Sequence, residues 1–162
     1  MRNSISIVIK FSKEEYGVDI ETFFRAHKDI EKDKSSVIMG TNIRFDSETV
    51  EKVFESNSDK YPKLLIFNGN QPFAVADIIK ITKKDPTDES VGPKCTSLYY
   101  DLEDKRTHLQ LANLKKIKES NILSCAILAF RRWEGGKPIY LKESINGPDS
   151  RFSMCYITWP DF

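Results

Sequence analysis

Lys63-Leu64-Leu65-Ile66-Phe67-Asn68-Gly69-Asn70-Gln71-Pro72-Phe73-Ala74-Val75-Ala76-Asp77-Ile78 is the stretch on which the reading of this chain turns. An aliphatic run, a short polar segment and a second apolar run make a hairpin, because Asn-Gly supplies the positive φ values that tight hairpin turns require. The two strands are expected over Lys63–Phe67 and Phe73–Ile81, with the turn over Asn68–Pro72. Ahead of the hairpin, Asp46-Ser47-Glu48-Thr49 offers caps and a first-turn acid to a short helix carrying Val50, Val53 and Phe54. Ser36–Phe45 suggests a strand bent or bulged at Gly40. Before it, Ile20, Phe23, Phe24, His27 and Ile30 line one face of an amphipathic helix that Asp19 caps and Lys32-Asp33-Lys34-Ser35 ends. Ser4–Phe11 alternates and reads as the first strand.

Beyond the hairpin, Thr82–Pro93 is almost devoid of apolar residues and reads as an exposed loop of the kind that often carries function. Ser97–Leu102 has strand character. Thr107–Ile117 fits a strand through Leu109 and Leu111 and a helix through Leu111, Leu114 and Ile117. Asn121–Phe130 reads as a buried strand and Phe152–Trp159 as a last one, with loops at Gly135–Pro138 and Asn146–Asp149 around the run Ile139-Tyr140-Leu141. Six to eight short strands with two or three flanking helices point to an α+β domain with a mostly antiparallel, barrel-like sheet.

A chain of 162 residues, 40% hydrophobic, 11% aromatic and 30% charged, can bury one core beneath a well-solvated surface, so residues 1–162 are read as one domain. Lys and Arg number 25 and Asp and Glu 24, a net charge of +1, so a nucleic-acid partner would need a local basic patch. No apolar run approaches the roughly 20 residues that cross a bilayer, and Met1-Arg2-Asn3-Ser4 runs straight into the first strand without a signal-peptide core, so a cytoplasmic address away from membranes is expected. Cys95, Cys125 and Cys155 show no CxxC spacing or His pairing, which argues against both a disulfide framework and a zinc site. Cys125 and Cys155 sit in apolar runs, where a thiol behaves as a small hydrophobe. The end at Trp159-Pro160-Asp161-Phe162 is compatible with a domain cut from a longer chain.

The inventory for catalysis is thin. Only His27 and His108 could serve a nucleophile as base; His27 lies on an apolar helix face and His108 at an expected strand or turn position. GxSxG, P-loop and GxGxxG patterns are missing. Carboxylates come as solvated neighbours, such as Glu14-Glu15 and Asp101-Glu103-Asp104, and neither Lys118-Glu119 nor Lys142-Glu143 has the spacing of a metal-dependent nuclease. The chain is therefore read as no enzyme, with no cofactor and no metal.

The hairpin resembles the central hairpin of the YTH and EVE domains of the PUA-like superfamily, in which an aliphatic strand, a polar turn and an aromatic-small-small strand follow one another. Ser6–Phe11 with the helix from Asp19 is similar to that family's first strand and helix, and Asp46–Phe54 to its second helix. The resemblance covers residues 4–117 in element order. Val37–Thr41 stands where the YTH pattern has a tryptophan, which directs the likeness to the EVE-like amino-terminal domains of McrBC-type modification-dependent restriction systems. It implies a reader module that flips a modified base of duplex DNA into a pocket, within a prokaryotic defence system whose nuclease and NTPase lie on other segments or chains.

A flipped base needs an aromatic slot for its π-face and polar groups for its edge. Phe67, Phe73, Tyr99, Tyr100 and Trp133 are the slot candidates, with Asn42, Asn68 and Asp77 as edge readers. Phe67 and Phe73 compete as plain core residues, and Tyr99 and Tyr100 point to opposite faces if they share a strand. Lys80, Lys83, Lys84, Lys115, Lys116, Arg131 and Arg132 are the phosphate-contact candidates, the two arginines preceding Trp133 and a glycine loop. The alternatives are a protein-interaction or inhibitor domain, favoured by the near-zero charge, and a PUA-like RNA-binding module.

Overall fold

The computed structural model describes residues 4–57, 59–83, 105–117 and 154–158. The expected elements over Ser97–Leu102, Asn121–Phe130 and Ile139–Leu141, the loop from residue 84 on, Cys95 and Cys125 lie outside the described residues.

The described elements run β1 (Ile5–Lys10), α1 (Lys13–Tyr16), α2 (Ile20–Lys34), β2 (Val37–Thr41), α3 (Ser47–Ser56), β3 (Lys63–Asn68), β4 (Gln71–Lys83), β5 (Thr107–Lys116) and β6 (Met154–Thr158). The helices begin where side-chain oxygens meet the orphan amides of a first turn. Asp19 accepts from the Thr22 amide at 2.8 Å, and Asp46 accepts from the Thr49 amide at 3.1 Å. The expectation missed α1, whose signal is Ser12-Lys13-Glu14-Glu15-Tyr16-Gly17. The Ser12 hydroxyl accepts from the Glu15 amide at 3.3 Å, and Gly17, at φ +73°, closes the turn by donating to the Lys13 carbonyl at 2.8 Å.

The sheet has six strands in the order β2-β5-β4-β3-β1-β6. Four of its five pairings are antiparallel, and β1 with β3 is parallel. The fold is thus α+β, but the barrel-like closure expected from the sequence is corrected to an open sheet, with β2 and β6 at opposite edges among the described residues. Parallel neighbours need a long crossover. Here it passes through α1, α2, β2 and α3, and α2 and α3 pack onto the sheet instead of the strands curling back to meet.

Ile20 and Phe23 of α2 and Val53 of α3 join Ile7, Ile9, Leu64, Ile66, Ala74, Ala76, Leu109 and Leu111 in one core cluster. The alternate strand positions Val8, Leu65, Phe67 and Ile157 lie outside that cluster and are also buried. A strand buried on both faces has no polar alternation, which is why Leu64-Leu65-Ile66-Phe67 is continuous. The hairpin turns through Gly69-Asn70, one residue beyond the expected Asn-Gly, with Gly69 at φ +62° and Asn68 paired with Gln71. β2 pairs with β5 in unbroken register from Val37↔Leu111 to Thr41↔Thr107, so the bulge expected at Gly40 is absent, and its carbonyl accepts from the Tyr16 hydroxyl at 2.8 Å. Among the described residues no helix is long and apolar enough to cross a membrane.

Candidate functional site

Three irregularities interrupt the ladders around β4. Between Ile66↔Ala74 and Phe67↔Pro72 the extra residue is Phe73, between Ile78↔Leu111 and Lys80↔Gln110 it is Ile79, and between Val75↔Lys115 and Asp77↔Ala112 it falls on β5 at Asn113-Leu114. Asn113 sits there at φ +53°, a left-handed conformation that asparagine tolerates better than most residues and that this kind of bulge demands.

A cleft of about 440 Å³ lies where the Asn113 bulge parts β4 from β5, within the range typical of ligand pockets. Its polar lining is Lys28, Lys63, Lys115, Asp77 and Asn113, three cations against one carboxylate. Val75, Ala76 and Leu114 make its apolar part. Asp77 is held by both oxygens, since Oδ1 takes the Lys63 ammonium and Oδ2 accepts from Asn113 Nδ2 at 2.7 Å. The bulge frees the backbone of Leu114 from the ladder, and α2 satisfies it from above. Glu31 Oε1 accepts from the Leu114 amide at 2.8 Å, Lys28 Nζ donates to the Leu114 carbonyl at 2.7 Å, and the two side chains pair with each other at 3.1 Å. Lys115 projects into solvent at the rim and has no ion-pair partner among the described residues.

Of the residues singled out from the sequence, the fold brings Asp77 and Lys115 to this cleft. It removes Phe67, which is 0% exposed in the core, so its assignment to a base slot is corrected: a central strand packs both its faces. Phe73 packs edge-on against Phe24 at 5.8 Å, with Lys116 Nζ 5.4 Å from its ring centre, on the α2 side of the sheet. Lys116 pairs with Glu21 at 2.6 Å and faces away from Lys115, because neighbouring strand residues point to opposite sides. Asn42 and Asn68 are exposed away from the cleft, Asn42 donating its amide to Glu15 Oε1 at 2.7 Å and Asn68 ending the hairpin strand. Lys80 is exposed beyond the second β4 irregularity, and Lys83 ends β4. Lys84, Tyr99, Tyr100, Arg131, Arg132 and Trp133 lie outside the described residues. Sequence reading missed Lys28, Lys63 and Asn113; only the Asn113 position left a trace, in the broken periodicity of Thr107–Ile117.

The buried titratable groups serve packing. His27 is 1% exposed, its ring centre 4.1 Å from that of Phe23, and its Nδ1–H donates to the Phe23 carbonyl at 2.7 Å. Burial pushes its imidazole down to about 4. Burial likewise pushes the Cys155 thiol up to about 12, which leaves it a weak nucleophile. Among the described residues no three His, Cys, Asp or Glu side chains are grouped to hold a metal ion. No protein-family model, curated protein or solved structure matches the chain.

Proposed function

We propose that this domain is a binding module without chemistry of its own, which takes nucleic acid at the cleft between β4 and β5. The observation that carries the reading is a pocket of about 440 Å³ in which Lys115, with no ion-pair partner among the described residues, stands beside Asn113, the Lys63–Asp77 pair and Lys28, itself paired with Glu31. A cationic rim beside a few fixed hydrogen-bonding groups suits a ligand that joins a phosphate to a polar, planar edge. The charge arrangement supports it further: exposed Glu48, Glu51 and Glu55 crowd α3, away from the cleft, so a net charge of +1 is compatible with a local basic face. The element order β1-α1-α2-β2-α3-β3-β4, which apart from the one-turn α1 runs as the likeness to EVE and YTH domains implies, supports a reader of modified DNA in a prokaryotic restriction system. Nuclease and motor would then reside on other segments or chains.

The test is a binding titration against matched duplexes carrying unmodified, methyl-cytosine or methyl-adenine sites at two salt concentrations. Preference for one modified duplex with affinity falling steeply in salt is the expected result. Absence of binding at low salt would overturn the reading in favour of a protein-interaction domain.

A further inference from the structure

We propose that Asn113 makes the cleft selective for ligands that present an exposed N–H donor, which in nucleic acid means the exocyclic amino group of adenine, cytosine or guanine. The inference rests on the nucleic-acid reading above and names the base chemistry that the cleft takes. Asp77 can only accept hydrogen bonds, so the Asn113 amide must turn its NH₂ group toward Asp77 Oδ2, at 2.7 Å, and its carbonyl oxygen away from it. Among the described residues no donor reaches that oxygen. Both Asp77 oxygens are engaged, and the ammonium groups of Lys28 and Lys63 are committed to Glu31 with the Leu114 carbonyl and to Asp77. What the cleft still offers, among the described residues, is an acceptor that no donor engages, Asn113 Oδ1, and a cation without an ion-pair partner, Lys115, two residues along the same strand.

An acceptor held in place selects a donor. An exocyclic amino group stands out from its ring and can meet a single oxygen without bringing a second acceptor against it. The ring N–H of thymine or uracil is flanked on both sides by carbonyl oxygens, which would face Asn113 Oδ1 at the same time. Lys115 would meet the neighbouring phosphate. A single methyl group on the amino nitrogen leaves one N–H to donate; two leave none.

The test uses the whole chain and labelled oligo-dT strands with one central position carrying adenine, N6-methyladenine, N6,N6-dimethyladenine or thymine, read by fluorescence anisotropy at low salt. N6-methyladenine is expected to bind at least as tightly as adenine, and N6,N6-dimethyladenine and thymine about five- to tenfold more weakly than adenine, the worth of one hydrogen bond. Asn113→Gly, whose replacement residue accepts the +53° φ without strain, should level the differences within the series. If that variant fails to fold by circular dichroism, the wild-type series alone decides. Equal affinity for all four strands would overturn the selectivity and leave the nucleic-acid reading standing. Failure of every strand to bind would overturn the nucleic-acid reading and the inference with it.

Discussion

The ladder between β1 and β3 and the ladder between β4 and β5 belong to one sheet, yet they are constructed on opposite principles. β1 and β3 keep an unbroken register from Ile7↔Leu64 to Lys10↔Phe67, and their side chains are buried on both faces. β4 and β5 lose register twice, carry a residue at positive φ, and hand the backbone of Leu114 to two side chains of α2. Regular pairing leaves no backbone group and no side chain available for a ligand. Irregular pairing opens a cleft, but only because a polar clamp takes over the hydrogen bonds that the ladder gave up. The regular ladder and the cleft thus flank the two strands of one hairpin.

The sharpest way to break this contrast is to cut into the regular ladder. Phe67→Ala should cost about 3–5 kcal/mol, the usual toll of emptying a fully buried aromatic site. A change in the urea midpoint below about 1 kcal/mol would mean that Phe67 does not anchor the core. Acid probes α2, the helix that supplies the clamp. His27 titrates near 4 in the folded chain and near 6.5 when unfolded, so the unfolded chain binds the extra proton between those values. Stability should therefore fall as pH drops from about 6.5 to about 4, by on the order of 3 kcal/mol, and His27→Gln should flatten that slope in urea titrations.

The clamp is the next test. Glu31→Ala leaves the Leu114 amide without its partner and should destabilise by about 1–3 kcal/mol, whereas Glu31→Gln, which keeps an acceptor, should recover most of the loss. Equal losses in the two variants would show that charge, not the hydrogen bond, holds the bulge. Lys115→Ala should change stability by less than about 0.5 kcal/mol, since the side chain is exposed. It should instead weaken binding uniformly across nucleic-acid sequences and lower the salt slope by about one.

Local chemistry made part of this architecture readable in advance. The Asp19 and Asp46 caps, the i, i+3, i+4 face of α2 and the apolar run of β3 were legible because each depends on neighbours within one turn or one strand. The segment Thr107–Ile117 was not, for a definable reason. Leu109 and Leu111 follow strand alternation, but the left-handed residue Asn113 shifts the phase, so Leu114 is buried three positions on and imitates a helix. The cleft depended on still more distant partners: Lys28 meets Leu114 across 86 positions, and Asn113 meets Asp77 across 36.

The sequence by itself determined the two capped helices, the hairpin and the presence of a buried, strand-rich core, because capping, periodicity and turn geometry act through covalent neighbours. Only the tertiary structure decided that the sheet stays open, that Phe67 belongs to the core and not to a pocket, and that Asn113 and Lys115 face a cleft. Those outcomes follow from strand order and register, and register is set by which faces must be buried against elements far away in the chain.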